Sequence, residues 1–216
     1  MIEKSSDMEK RYENGIDTWG NRERKLYQKI FKTTVLRVLE RLKGELNSVA
    51  WFDVGCGGGN IWDTVIENTP EGFPVYLRGC DLSKVAVDDL CKRYTTATCY
   101  QIDLETYMQG NPSNFYHYLR DSNVVSIVDV AYYFGDKRPW KETMDEIWKS
   151  IAPGTIVVVA DSLIPYQRRS YFGTKSDCET LASYTDWSEP VSEEVRADGT
   201  KWHRYFKVKI YRKLVN

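Results

Sequence analysis

The sequence has few of the residues that build metal sites and disulfide frameworks. It contains two histidines, His117 and His203, and no HExxH motif, so no dedicated metal site is expected. The five cysteines are odd in number and include no CxxC pair. Such thiols are typical of a reducing compartment rather than of a disulfide-bonded secreted protein. We therefore expect a cytoplasmic protein.

Strong charge and long apolar runs are also absent. The formal net charge of the 216 residues is -1, which gives no field that would attract nucleic acid or an anionic membrane. No apolar run approaches the roughly 20 residues that a membrane span needs. The polar start, "MIEKSSDMEKRYENG", lacks the apolar stretch of a signal peptide. Neither nucleic acid nor a membrane is an expected partner, and no pattern indicates an oligomeric state.

The chain has the length of one α/β domain, residues 1–216, with a proper core. We divide it into an N-terminal arm (1–23), a leading helical segment (24–48) and a core (49–213). The core strands are apolar with little polar alternation, which favours a parallel sheet covered on both faces and a doubly wound α/β fold. Strands are predicted at 49–55, 75–81, 96–103, 124–130 and 155–162, and helices at 24–43, 58–68, 84–93, 106–119 and 139–151.

The C-terminal region departs from this alternation of strands and helices. A D-G pair, Asp198 and Gly199, separates two extended stretches, and the second stretch alternates apolar and polar residues. This pattern is typical of a β-hairpin. We therefore expect antiparallel strands at the end of the sheet.

The stretch "DVGCGGGN" (53–60) follows the first predicted strand and leads into a helix. A glycine-rich turn in that position can hold a nucleotide-like ligand at the carboxyl end of a sheet, because glycine has no Cβ to keep the ligand away. The second strand ends in Asp81, where a carboxylate can accept hydrogen bonds from ribose hydroxyls. The third ends in Asp103, where a polar side chain can meet the edge of an adenine. The pattern predicts a ligand with an adenosine part.

Two classes of adenosine cofactor fit such a loop. The dinucleotide pattern G-x-G-x-x-G fails here, because Asn60 stands at its third glycine position. The spacing D-x-G-x-G-x-G does fit, with Asp53, Gly55, Gly57 and Gly59. This stretch resembles the first motif of class I S-adenosylmethionine-dependent methyltransferases. Their cofactor carries an ammonium group where a dinucleotide has a pyrophosphate, and a carboxylate beside the loop suits that cation.

Four further motifs and the C-terminal hairpin extend the resemblance over about residues 49–213. The hairpin is similar to the reversed last strand of this family. The resemblance implies a Rossmann-like sheet of seven strands with an antiparallel C-terminal strand. The sequence departs from the family pattern at Asn123, where an aspartate is common, and at Thr155, where a second glycine is common. The four motifs are "GCDLS" (79–83), "QIDLE" (101–105), "VSIVDVAYYFGD" (125–136) and "IAPGTIVVVAD" (151–161).

The resemblance also implies the residues of the site. Asp129 is expected near the transferred methyl group, as a base or as a carboxylate that orients an amine. Tyr132 and Tyr133 would shape the acceptor pocket or donate a hydrogen bond. Alternatively, Asp129 touches only the cofactor and the tyrosines serve packing, and His203 is a less favoured base. The expected cofactor-binding residues are Asp53, Gly55, Cys56, Gly57, Gly59, Asp81, Leu82, Asp103, Leu104 and Asp129.

The implied reaction is an in-line transfer of a methyl group from S-adenosylmethionine to a hydroxyl or amine. The sequence lacks a [D/N]-P-P-[Y/F] motif after the fourth strand, which argues against amines of DNA bases and glutamine amides. It lacks a Pro-Cys pair, which argues against cytosine C5. A small-molecule acceptor, such as a sugar or amino metabolite, fits best, and "DVAYYF" is similar in part to nodulation-type N-methyltransferases. The alternatives are a peptide or protein acceptor, a non-catalytic cofactor-binding regulator and, least favoured, a nicotinamide oxidoreductase.

Two polar segments could add to the site. The arm "RYENGIDTWGN" (11–21) carries Tyr12 and Trp19, and we expect it either to close over the cofactor as a lid or to form a packed or frayed terminus. Arg168 and Arg169 follow the fifth strand. They could bind an anionic acceptor, or they could simply be an exposed pair of charges.

Overall fold

The computed structural model describes residues 5–15, 25–103, 113–130, 140–163, 175–186, 192–195 and 201–215. No helix among these residues is both long and apolar enough to cross a bilayer. The helices are α1 (Ser5–Asn14), α2 (Lys25–Lys43), α3 (Asn60–Asn68), α4 (Lys84–Arg93), α5 (Ser113–Arg120) and α6 (Trp140–Ser150). The strands are β1 (Val49–Val54), β2 (Val75–Asp81), β3 (Thr98–Gln101), β4 (Val124–Val128), β5 (Ile156–Leu163), β6 (Cys178–Asp186), β7 (Ser192–Val195) and β8 (Lys201–Lys213).

The strands form one mixed sheet in the order β3-β2-β1-β4-β5-β8-β6. The first five strands in this order pair in parallel, and β8 runs antiparallel between β5 and β6. The short strand β7 pairs antiparallel with the first residues of β8. The doubly wound sheet with a reversed C-terminal strand is therefore confirmed, with β7 as an addition to the expected seven strands.

Alternate side chains of the strands enter two separate cores. In β1, Trp51 joins a cluster with residues of α2 and α3, whereas Phe52 and Val54 join a second cluster with residues of α5 and α6. Strand β5 divides its side chains in the same way. Both faces of the sheet are thus covered by helices, which is why these strands read as nearly continuous apolar runs.

The predicted elements agree with the structure for the parallel half of the sheet. The five predicted strands, and the predicted helices other than 106–119, begin and end within two residues of the observed bounds. Helix α5 ends one residue beyond the predicted 119, and residues 106–112 lie outside the described part. Strands β7 and β8 pair as the hairpin pattern predicted, while the D-G turn itself is not described.

Strand β6 was missed by the sequence analysis. Its register with β8 shifts between Thr180 and Ala182, which marks a bulge or irregularity. A bulge interrupts the period-two alternation on which recognition of a strand depends. Most side chains of this strand are also partly or fully exposed, as expected at the edge of a sheet, so no apolar run identifies it.

The two departures from the family pattern have structural roles at the start of neighbouring strands. The Asn123 side chain accepts a hydrogen bond from the Ala50 N–H at 2.8 Å, and the Asn123 N–H donates to the Ala50 carbonyl at 2.9 Å. The Thr155 hydroxyl donates to the Ser122 carbonyl at 3.0 Å. Both side chains therefore fix the amino ends of these strands, at the end of the sheet opposite to the glycine-rich turn.

Gly79, in the middle of β2, gives a test of this packing. A Cβ at this position would lie 2.9 Å from a ring carbon of Trp62 and 3.0 Å from the carbonyl oxygen of Asp53. We expect Gly79→Ala to lower the free energy of unfolding by about 1–3 kcal/mol through overpacking. Urea unfolding measures this change. Gly44→Ala is the control, because its Cβ would meet the Arg41 carbonyl at an ordinary 3.6 Å; equal stability of the two variants would contradict the prediction.

Candidate functional site

The glycine-rich stretch forms the turn from β1 into α3. Gly55, Gly57 and Gly59 have φ angles of 72°, 47° and 79°, in the left-handed region that side chains rarely adopt. Gly59 is the N-cap residue of α3 and supplies no side-chain cap. The backbone conformation therefore requires glycine at every second residue of the turn, which explains the spacing G-x-G-x-G.

Hydrogen bonds from the end of β2 hold this turn. The N–H groups of Gly55 and Cys56 both donate to the Cys80 carbonyl, at 2.8 and 2.9 Å. The next N–H along the chain, that of Gly57, donates to Oδ2 of Asp81 at 2.8 Å. The turn and the carboxyl end of β2 thus form one unit.

The missing Cβ atoms are needed for protein contacts as well as for any ligand. A Cβ on Gly55 would lie 2.4 Å from a methyl group of Val130. A Cβ on Gly57 would lie 2.7 Å from the Tyr12 hydroxyl, and one on Gly59 would lie 2.5 Å from a methyl group of Leu90. From the sequence, the glycines were explained by a tight turn and the approach of a ligand, and the structure adds close packing by three other parts of the chain.

Asp81 lies at the centre of the candidate site. Its side chain is buried, with 6% of the residue exposed, and its Oδ1 accepts a second backbone hydrogen bond from Ser83 at 2.9 Å. Burial raises the pKa of Asp81, while the N–H groups of Ser83 and Gly57 oppose that rise. A carboxylate can accept about four hydrogen bonds. Asp81 therefore has capacity left for ligand hydroxyls.

Ser83 is the N-cap residue of helix α4. Its side-chain oxygen accepts a hydrogen bond from the Ala86 N–H at 3.2 Å, which is the geometry of an N-cap. The same residue therefore joins the candidate site to the start of the next helix.

Asp53 lies beneath the turn, with 3% of the residue exposed. Its Oδ1 accepts a hydrogen bond from the Ser126 hydroxyl at 2.5 Å, and the Ser126 oxygen accepts one from Nε1 of Trp51 at 2.8 Å. Burial raises the pKa of Asp53 to about 7, the Ser126 hydrogen bond opposes the rise, and the negative charge of Asp81 adds to it. Ser126 was not predicted from the sequence, although a serine inside the apolar strand "VVSIV" was a usable signal.

The remaining described site residues follow β3 and β4 at the same edge of the sheet. Asp103 is half-buried two residues beyond β3, and the Ile102 N–H donates to the Asp81 carbonyl at 2.8 Å. Asp129 directly follows β4 with a φ of 53°, and its N–H donates to the Ala160 carbonyl at 2.8 Å. A left-handed conformation in a residue other than glycine is uncommon and clusters at functional sites.

Other predicted residues lie elsewhere or outside the described part. Leu82 is half-buried and packs beside Tyr12 and Ala86. His117 is exposed and lines a surface pocket of about 550 Å³ that includes no residue of the turn. His203 belongs to β8, but its side chain is outside the described part. The positions that the structure does not describe are Trp19, Leu104, Tyr132, Tyr133, Arg168 and Arg169.

The N-terminal arm contacts the candidate site through α1. Tyr12 is 4% exposed, packs against Ala86, and brings its hydroxyl to Gly57. Glu9 accepts hydrogen bonds from the Lys84 N–H, at 3.0 Å, and from the Ser83 hydroxyl. A carboxylate at this helix N-terminus is favourable because it satisfies unpaired N–H groups and faces the positive end of the helix dipole. The described part of the arm is therefore packed rather than frayed.

Comparison with known proteins identifies the fold. No protein-family model matches the sequence, and no curated protein matches it. One similar solved structure is the N-methyltransferase NodS from Bradyrhizobium japonicum WM9, in complex with S-adenosyl-L-homocysteine. Its sequence is 15% identical to this chain and its TM-score is 0.62, over 95% of this chain and 98% of NodS. The plantazolicin methyltransferase BpumL, with a pentazolic desmethylPZN analog and S-adenosylhomocysteine, is 13% identical with a TM-score of 0.59 over 100% of both chains.

A third structure with this fold is named for a different reaction. The [4+2]-cyclase SpnF is 12% identical with a TM-score of 0.52, covering 85% of this chain and 84% of SpnF. At these identities the likeness establishes the fold alone. Together with the observed strand order, it confirms the predicted class I methyltransferase fold.

The raised pKa of Asp53 predicts how stability depends on pH. An unfolded aspartate ionises near pH 3.8 and the folded residue near pH 7, so between these values the folded chain keeps a proton that the unfolded chain loses. This contribution is complete below about pH 4 and is lost as the pH rises to about 7. We expect Asp53→Asn to flatten the stability profile over this range by an amount of the order of 4 kcal/mol.

Urea unfolding at pH 5 and pH 8 measures this effect. The wild type is expected to lose more stability between the two pH values than Asp53→Asn does. Asp121→Asn is the control, because Asp121 is exposed and far along the chain from the turn. Equal pH dependence in the wild type and Asp53→Asn would contradict the predicted protonation.

Proposed function

We propose that the chain is an S-adenosylmethionine-dependent methyltransferase that acts on a hydroxyl or amine of a small molecule. The observation that carries this proposal is Asp81, whose carboxylate joins the glycine-rich turn to the end of β2 and retains capacity for ligand hydroxyls. The fold supports it, because two of its solved neighbours were crystallised with S-adenosylhomocysteine.

The carboxyl groups at this end of the sheet suit S-adenosylmethionine. Asp81 would bind the ribose hydroxyls, and Asp103, two residues beyond the neighbouring strand, would meet the adenine edge. Asp53, Asp81, Asp103 and Asp129 stand at the carboxyl ends of four adjacent strands. These carboxyl groups favour a ligand with cationic ammonium and sulfonium groups and disfavour the pyrophosphate of a dinucleotide.

The cofactor supplies an activated methyl group, so the contribution of the protein is mainly to hold the acceptor close and in line. Asp129 lies where the chain leaves β4, next to β1 and its glycine-rich turn. Its carboxylate would accept the proton of a hydroxyl acceptor or orient a neutral amine. Tyr132 and Tyr133 would line the acceptor pocket, as proposed from the sequence.

The acceptor we favour is a sugar or an amino metabolite. The net charge of -1 and the lack of the motif for nucleobase amines support a small-molecule acceptor. The alternatives are a peptide or protein acceptor, and a protein that binds the cofactor without transferring its methyl group. We keep the alternative without methyl transfer because a cyclase has this fold, and fold alone does not determine the reaction.

Binding of the cofactor gives the first test. We expect the wild-type chain to bind S-adenosylmethionine and S-adenosylhomocysteine in calorimetric titrations. Asp81→Ala should weaken both by more than tenfold, or about 1.4 kcal/mol, because it removes the ribose ligand and one anchor of the turn. Asp81→Asn, which keeps an acceptor oxygen, should lose less.

The exposed residue His117 provides the control, since His117→Ala should leave both affinities unchanged. Circular dichroism of each variant separates loss of binding from loss of folding. If the folded wild type binds neither ligand, the proposed function is wrong and nicotinamide cofactors should be tested. Binding without methyl transfer to any hydroxyl or amine in an acceptor screen would favour the non-catalytic alternative.

We propose that the arm acts as a lid, and a terminus that is merely packed is the alternative. Deleting residues 1–20 should weaken cofactor affinity and lower turnover, by about tenfold or more, because the Tyr12 hydroxyl and the Glu9 carboxylate both contact the candidate site. Tyr12→Phe should reproduce part of this loss. Glu13→Gln, an exposed position on the same helix, is the matched control. Unchanged affinity and turnover after the deletion would exclude the lid.

A further inference from the structure

Two side chains outside the glycine-rich turn bond to successive residues of its backbone. Asp81 accepts the Gly57 N–H, as described above. Arg93, the last residue of α4, donates from Nη2 to the Gly58 carbonyl at 2.6 Å. Arg93 was not predicted as a site residue from the sequence, because basic residues are common in the last turn of a helix.

The Gly58 carbonyl belongs to a peptide group that needs an anchor. Gly57, Gly58 and Gly59 are consecutive and carry no Cβ, so rotation of the peptide groups between them meets little steric resistance. A peptide group is planar, so the Gly58 carbonyl and the Gly59 N–H move together. The Gly59 N–H donates to the Cys56 carbonyl at 2.8 Å. Arg93 and Cys56 therefore hold the two ends of one peptide group in a single orientation.

Arg93 is itself held by α3 and α4. Its Nε donates to Asp89 at 2.5 Å, and its guanidinium lies 5.1 Å from the centre of the Tyr94 ring. Its Nη1 lies 3.8 Å from a carboxylate oxygen of Asp63, which also accepts a hydrogen bond from the Tyr94 hydroxyl. The planar guanidinium satisfies these directions at once, which the single ammonium group of lysine cannot do.

The two anchors act on different residues of the turn. Gly57 packs near Tyr12 and Asp81, whereas Gly59 packs against Leu90 and Arg93 of α4. We infer that Arg93 is a positioning residue, which fixes the Gly58–Gly59 peptide group and so keeps the turn in the form that binds the cofactor. This inference rests on the proposed function, because it takes the turn as the cofactor site.

The test compares Arg93→Met, which keeps the length of the side chain without its donors, with Arg93→Lys, which keeps the charge. Hydrogen exchange of the amides of residues 57–60 is measured on the ligand-free chain, and S-adenosylhomocysteine is titrated by calorimetry. We expect Arg93→Met to speed the exchange of these amides about tenfold or more and to weaken binding about tenfold. Arg93→Lys should recover part of both. In a methyl-transfer assay of Arg93→Met, the KM for S-adenosylmethionine should rise while kcat stays near the wild-type value.

Two control variants separate positioning from general stability. Lys92→Met changes an exposed cation in the same turn of α4 and should alter neither readout. Asp89→Asn removes the negative charge of one partner of Arg93 while leaving the donor to Gly58 in place, so it should have a smaller effect than Arg93→Met.

The outcomes distinguish this inference from the proposed function. Unchanged exchange of the turn amides in Arg93→Met would overturn the inference whether or not a cofactor binds. Faster exchange with unchanged affinity would overturn the role of Arg93 in cofactor binding. If the wild type binds no S-adenosylhomocysteine, the proposed function fails, and the exchange rates alone decide whether Arg93 fixes the turn.

Discussion

The hydrogen bond from the Gly57 N–H to the Asp81 carboxylate is the interaction on which the arrangement of the site depends. Asp81 ends β2, its second oxygen accepts the Ser83 N–H, and Ser83 is the N-cap residue of α4. One buried carboxylate thus fixes the turn after β1, the end of β2 and the start of the next helix. Asp81, the side chain proposed to bind the ribose hydroxyls, is therefore preorganised by the same hydrogen bonds that define the local fold. This lowers the entropic cost of binding.

The same arrangement has a cost in stability. Asp53 and Asp81 are both buried, burial raises the pKa of each, and the charge of Asp81 raises that of Asp53 further. Retention of such groups is typical of functional sites, where a bound partner of opposite charge compensates the burial. A cationic ligand at this edge would favour the ionised carboxylates. Binding of the proposed cationic cofactor would then be linked to proton release.

The sequence predicted the features that depend on local patterns. The parallel strands, the glycine-rich turn and Asp81 at the end of β2 all follow from short spacings along the chain. Contacts between distant segments were missed, such as the Tyr12 hydroxyl at Gly57 and the Arg93 guanidinium at Gly58. No local pattern encodes these pairs, because each joins segments that are far apart along the chain and depends on how α1 and α4 pack.

The cofactor side and the acceptor side of the proposed site are joined by direct packing. Val130, the residue after Asp129, places a methyl group where a Cβ of Gly55 would be. Asp129 has a left-handed conformation, and its N–H is held by the Ala160 carbonyl of β5. The chain therefore leaves β4 along a path fixed both by its neighbour in the sheet and by the glycine-rich turn. Because Gly55 accommodates Val130, it helps to set the path of the chain at Asp129, the residue proposed to face the acceptor.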